Sequence, residues 1–189
     1  MQSIILASQS PRRKQLLEWA EVPFEVIIQN TDESFDVSLP AAQIPINIAM
    51  AKALAVKVAT QTTTTILAAD TVVVLNNMII NKPKDRNDAI QMLTALAGKI
   101  HHVITGVVLL SPEKNISFSE TTEVEFYPLT QSQIEFYVDQ YKPYDKAGAY
   151  AIQEWIGVVG IKKITGDFYN VMGLPVSRVV QELQKLDVQ

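Results

Sequence analysis

The segment Ser8-Gln9-Ser10-Pro11-Arg12-Arg13 brings two hydroxyls, a helix-opening proline and two guanidinium groups into one short stretch. A helix N-terminus presents N–H groups and the positive end of the helix dipole, so it attracts anions. Guanidinium groups take phosphate oxygens in pairs. The segment reads either as an anion site or as a plain capped helix with solvated arginines. Lys52 has only apolar helical neighbours: Ile48, Ala49, Ala55 and Val56. Its ammonium must reach water along its own stem or face an anion. Lys57, beside Thr60 and Gln61, reads as solvated. Asp70 interrupts the strand-like run from Ile66 to Leu75, where aspartate is a poor fit. A carboxylate there calls for a cation, a metal or a proton-transfer task, unless it marks a bulge or a strand end.

Other residues are weaker signals. Pro83 forces Lys82 into an extended backbone and sets where it leaves its strand, although an exposed loop lysine is the simpler reading. Asp145-Lys146-Ala147-Gly148-Ala149-Tyr150 joins neighbouring opposite charges to three small residues, which permit close approach of backbone or ligand. Gln153 follows, and an amide can read a base edge through paired hydrogen bonds. Asp32-Glu33 stand in a polar loop and by themselves read as surface. His101 and His102 read as structural or surface residues, and Trp19, Trp155 and the methionines as core or rim packing.

The chain has 189 residues with 16 Lys+Arg against 20 Asp+Glu, a net charge of −4, which argues against general nucleic-acid binding. With 48% hydrophobic residues it has material for a sizeable core. It has no cysteine and two histidines, which excludes disulfides, a zinc–cysteine site and a cysteine nucleophile. Any metal would be a hard cation on oxygen ligands. Seven glycines are few, and neither a Walker A segment nor a G-x-G-x-x-G fingerprint occurs, so phosphates would fall to side-chain cations and a helix N-terminus. No stretch approaches the ~18 apolar residues of a membrane helix, and no secretory signal pattern opens the chain. A soluble cytoplasmic protein is the plain expectation.

These residues need elements to hold them. The pattern predicts a buried strand at Ile4–Ala7, a helix from Ser10-Pro11 to about Ala20, and a strand at Phe24–Ile28. Pro40 should open a long helix through Val58, with Ile44, Ile48, Ala51, Ala55 and Val58 on one face. Ile66–Leu75 and Met78–Ile80 should pair as a hairpin across Asn76-Asn77. A helix over Asp85–Ala97 should stop at Gly98. Strands follow at Val103–Leu110, Ile116–Phe126 and Ile156–Ile164, with helices at Thr130–Tyr141 and Leu174–Leu186. The alternation predicts an α/β fold on a mixed sheet.

Taken together, the segments Leu6–Arg13, Ala49-Met50-Ala51-Lys52-Ala53 and Ala69-Asp70-Thr71-Val72-Val73 resemble the Maf family of nucleoside triphosphate pyrophosphatases. So do Asn81-Lys82-Pro83, Thr105-Gly106-Val107, Tyr144–Tyr150 and Asn170-Val171-Met172-Gly173-Leu174-Pro175. The order and spacing of the set carry the resemblance, over essentially the whole chain as a single domain, 1–189. It implies an elongated, twisted mixed sheet flanked by helices, with two lobes around a cleft, as in the inosine triphosphatase group. It implies hydrolysis between the α and β phosphates, giving a nucleoside monophosphate and pyrophosphate, in a nucleotide-pool house-cleaning role.

Matched residue by residue, the resemblance implies that Ser8, Arg12, Arg13, Lys52 and Lys82 surround the phosphates. Asp70 would be the catalytic carboxylate and, with Glu33, would hold Mg²⁺ or Mn²⁺. Asp145 and Lys146 would support the site. Arg12, Thr71 and Gln153, the last preceded by Ile152, follow the pattern of the branch acting on dTTP and UTP; a modified pyrimidine nucleotide as the substrate is a further reading. The branch acting on 7-methyl-GTP has tryptophan and glutamine at the first two places. Lys142 and Asn81 depart from the family's common glutamate and glycine, and Asn81 bears on the loop that carries Lys82. A homodimer would be ordinary for the family, with a nucleoside triphosphate as the small-molecule partner and no nucleic acid or membrane. The alternative is a non-catalytic nucleotide-binding regulator of septum formation and cell division.

Overall fold

The computed structural model of the chain describes residues 2–32, 34–36 and 38–187. Among them are seven strands in one mixed sheet, in the order β2-β1-β3-β5-β6-β7 with β4 beside β3. The strands are β1 (Ile4–Leu6), β2 (Phe24–Val26), β3 (Ile66–Leu75), β4 (Met78–Ile80), β5 (Ile100–Leu110), β6 (Asn115–Phe126) and β7 (Ile161–Thr165). The helices are α1 (Pro11–Trp19), α2 (Ile44–Thr60), α3 (Arg86–Leu96), α4 (Gln131–Tyr141), α5 (Trp155–Gly160), α6 (Phe168–Met172) and α7 (Val176–Asp187). None of the described helices is long and apolar enough to cross a membrane. The described chain divides into two compact units. The first holds Met1–Asp70, Thr105–Glu120 and Gly173–Gln189, and the second Thr71–Ile104 and Thr121–Met172.

In the first unit β1 pairs in parallel with both β2 and β3. Every β1 residue is buried, as its uninterrupted apolar run requires. Ser10 caps α1, accepting from the Arg13 N–H, with Pro11 in the first turn. Helix α2 begins at Ile44 rather than at Pro40, with Pro45 in its first turn, while residues 41–43 form a turn. Its buried face also differs from the expected one. Ile44 and Ile48 are in the core, but the face continues through Ala49, Ala53 and Val56, leaving Ala51 and Val58 exposed. Ala49, Ala53 and Val56 pack against Ile5, Ala7, Ile66, Ala68 and Val108. Small alanines let the helix lie close to the sheet, which a count of apolar spacing alone does not register. Gly106 serves the same close approach, since a Cβ there would lie 2.2 Å from the Ile46 nitrogen.

In the second unit β3 and β4 form the expected hairpin, with Leu75 opposite Met78. Asn76 and Asn77 both have positive φ, 50° and 64°, as a two-residue type I′ connection demands. Asp85 and Thr130 cap α3 and α4, and Thr130 completes a capping box with Gln133. Gly98, at φ 70°, follows the end of α3. The strand expected over 156–164 is corrected. Residues 155–160 are helix α5 and only Ile161–Thr165 is strand, paired antiparallel with β6. The apolar run Ile-Gly-Val-Val reads as a buried strand, yet Val158 is 81% exposed. Gly157 tucks against the Ile152 carbonyl, where any Cβ would collide, so this turn of the chain requires a glycine there. The segment Ala147–Ala149 is a single 3₁₀ turn.

Candidate active site

In the first unit, the β1–α1 turn delivers Ser8 and Arg13 together. Arg13 is buried, with Nε donating to the Gly173 carbonyl at 2.8 Å and Nη1 to Ser8 Oγ at 3.1 Å. Ser8 Oγ also accepts from the Ser10 N–H at 3.2 Å. Two acceptances use the lone pairs of the hydroxyl, so its remaining capacity is as a donor, which suits an anion. The guanidinium plane is thereby fixed before any ligand arrives. Arg12 stands half-buried beside it on the first turn of α1. Gly173, quoted above only as part of a motif, is what holds Arg13. Its φ of 116° is a conformation that favours glycine, and a glycine just before Leu174-Pro175 was the available signal.

Of the two outcomes open to Lys52, it faces an anion, Asp70. Lys52 Nζ on α2 lies 2.7 Å from Asp70 Oδ1 on β3, with the two side chains 14% and 13% exposed. Asp70 lies inside β3 rather than at a strand end, flanked by the buried Ala69 and the half-buried Thr71. Lys57 is not simply solvated. Its ammonium donates to the Thr62 carbonyl just past the end of α2. Glu33, expected as a metal ligand, lies outside the described residues. Among the described residues no three His, Cys, Asp or Glu side chains gather as a metal cluster. Asp70 offers one hard oxygen donor set, which fits Mg²⁺, an ion commonly held by one or two carboxylates plus substrate phosphates and water.

In the second unit Lys82 is exposed on the loop after β4, anchored by the buried Pro83. The Gly148 N–H donates to the Asn81 carbonyl at 3.1 Å, tying that loop to the 147–149 turn. Asn81 therefore serves the loop through its backbone, whatever its side chain. Gly148 has φ 70°, and a Cβ there would meet the Val73 side chain at 3.0 Å, so the small-residue tract is a packing requirement. Lys146 is buried and donates to Asp145 at 2.8 Å, with Glu154 at 3.5 Å on another side. Gln153 is exposed on the turn that follows.

Several residues read as structural prove so in different ways. His101 is fully buried, with Nε2 bonded to the Tyr150 hydroxyl at 2.7 Å and its ring edge-on to Phe126 and Tyr150. Burial, with a smaller contribution from neighbouring His102, pushes its pKa down from 6.5 to about 4. Burial pushes the Tyr150 phenol up. His102 points the other way and is exposed. Trp19 is 58% exposed, hence rim rather than core. Asn170, not singled out before, is buried and donates to the Val103 carbonyl and Thr122 Oγ1, each at 3.0 Å.

A family profile described as Maf-like protein matches residues 3–186. The chain belongs to the Maf family. Among Maf proteins it is 51% identical over 183 residues to a protein of Cytophaga hutchinsonii named dTTP/UTP pyrophosphatase, covering 97% of this chain and 84% of that one. A protein of Parabacteroides distasonis with the same name is 46% identical, covering 96% of this chain and 94% of its own. Of solved structures, a HAM1 protein from Coxiella burnetii superposes with a TM-score of 0.50 at 15% identity, covering 98% of this chain and all of that one. At that identity the likeness speaks for the fold alone.

Proposed function

We propose that this Maf protein hydrolyses dTTP and UTP between the α and β phosphates, releasing the monophosphate and pyrophosphate, as a nucleotide-pool house-cleaning enzyme. The observation that carries the reading is 51% identity across 97% of the chain to a protein named dTTP/UTP pyrophosphatase. Arg12, Thr71 and Gln153 fit the same branch. Arg13 and Ser8, prearranged at a helix N-terminus, bind phosphate oxygens, with Arg12, Lys52 and Lys82 adding charge. Asp70 takes the proton of the attacking water. The water oxygen bonds to the α phosphorus and the bridging oxygen leaves with pyrophosphate. Lys52, 2.7 Å from Asp70 Oδ1, orients that carboxylate. Asp70, with Glu33 as a further carboxylate, would hold Mg²⁺ or Mn²⁺, which when bound offsets phosphate charge. Gln153 reads the base, and Asp145 and Lys146 support that part of the chain. In this reading the protein works in the cytoplasm as a homodimer.

A non-catalytic nucleotide-binding regulator of cell division has no need of a carboxylate held beside a lysine in this way, and no observation favours it. The test is a panel of dTTP, UTP, CTP, 5-methyl-UTP, pseudo-UTP and 7-methyl-GTP with Mn²⁺, followed by pyrophosphate and monophosphate analysis. The proposal expects pyrophosphate from dTTP and UTP and little from 7-methyl-GTP. Turnover confined to 7-methyl-GTP, or release of orthophosphate alone, would overturn it.

A further inference from the structure

Gln153 is the exposed residue in a stretch that is otherwise closed, with Ala149–Ile152 buried before it and Glu154–Ile156 half-buried or buried after it. An amide offers donors and an acceptor only a few ångströms beyond its own backbone, so which base edge it can pair with depends on where the chain places it. Discrimination by Gln153 therefore requires that its backbone be held. What holds it comes from α4. Tyr137 is fully buried, its ring stacked on Tyr141 at 5.0 Å. Its hydroxyl accepts from the Ala151 N–H at 3.2 Å and donates to a Glu154 carboxylate oxygen. Those two partners bracket Ile152-Gln153 on both sides. The Glu154 N–H closes the same turn on the Ala151 carbonyl at 3.1 Å. Behind it, Gly157 lies so close that a Cβ would come within 1.7 Å of the Ile152 carbonyl oxygen. The other Glu154 oxygen faces Lys146 at 3.5 Å, so one carboxylate joins the phenol to the lysine.

We infer that Tyr137 and Glu154 are positioning residues for base discrimination, acting by holding the turn that presents Gln153. The inference rests on the reading of Gln153 as the base-contacting residue. Tyr137→Phe keeps the ring and its stacking and removes only the hydroxyl. It should lower kcat/KM for dTTP and UTP about tenfold, mainly through KM, while CTP hydrolysis changes little. The dTTP:CTP preference then falls. In a Gln153→Ala background the same substitution should leave the preference where Gln153→Ala put it. Glu154→Gln, which keeps an acceptor for the phenol, should retain most of the preference, and Glu154→Ala should lose it. The Glu154 pair gives the same reading if Tyr137→Phe does not fold. If Gln153→Ala collapses the preference while Tyr137→Phe and Glu154→Ala lower only the melting temperature, the inference is overturned and the reading of Gln153 stands. If Gln153→Ala leaves the preference intact, that reading falls and the inference with it.

Discussion

His101 should make the protein's stability depend on pH in a window that its carboxylates do not set. The ring is fully buried and its pKa falls from 6.5 to about 4. Between those values the unfolded chain takes up a proton at this position and the folded chain does not. Stability from His101 is therefore complete above pH 6.5 and drains away as pH falls toward 4. At 1.36 kcal/mol per pH unit the whole effect is roughly 3 kcal/mol, a large share of a typical net stability. The comparison protein is His101→Phe/Tyr150→Phe, which removes both hydrogen-bond partners and strands neither. Urea unfolding of both proteins at pH 4, 5, 6 and 7 lets the carboxylates cancel in the difference. Wild type should lose roughly 3 kcal/mol more than the double variant from pH 7 to pH 4. A difference that stays flat over this range would mean that His101 protonates normally while folded, and the burial argument would be refuted.

Arg13→Lys keeps the charge but cannot reproduce the two bonds to Gly173 and Ser8. It should cost about 2 kcal/mol in urea unfolding and raise KM for the triphosphate about tenfold, the equivalent of some 1.4 kcal/mol of binding. Unchanged kinetics would remove Arg13 from phosphate recognition. Gly106→Ala places a Cβ 2.2 Å from the Ile46 nitrogen and 2.3 Å from the Pro45 carbonyl carbon, and backbone cannot swing aside as a side chain does. It should destabilise by about 3 kcal/mol or more, read as a fall in melting temperature. An unshifted melting curve would show that the start of α2 gives way.

Much of this architecture could be read from local chemistry. Asn76-Asn77 between two apolar runs suits a tight hairpin, Asp85 and Thr130 mark helix starts by the N–H groups their side chains accept, and Gly98 marks a helix end by its positive φ. The 101–103 alternation of β5, buried–exposed–buried, separates His101 from His102 by period two, a signal present in the sequence though not used. The run Ile156–Gly160 has the apolar content of a strand but is helical, and the close approach of Gly157 to Ile152 is a contact that hydropathy does not encode. The site divides the same way. Lys52 had either to reach water or to face an anion, and Asp70 called for a cation, a metal or a proton-transfer task unless it marked a bulge or strand end, but their pairing joins residues 18 apart through α2 against β3. Arg13 and Gly173 are 160 residues apart, and only folding reveals that a carbonyl fixes the guanidinium. Tyr137 reads as ordinary core on α4, and nothing in its neighbourhood along the chain announces that its hydroxyl reaches Ala151 and Glu154.

Proton transfer in pyrophosphate release is the role proposed for Asp70, held beside Lys52. The direct measurement is Asp70→Asn with dTTP and Mn²⁺, following pyrophosphate release by the variant alongside nucleotide binding by calorimetry. Turnover should fall about a thousandfold or more, on the scale of a lost general base, while dTTP still binds. Near-normal pyrophosphate release from Asp70→Asn would contradict it.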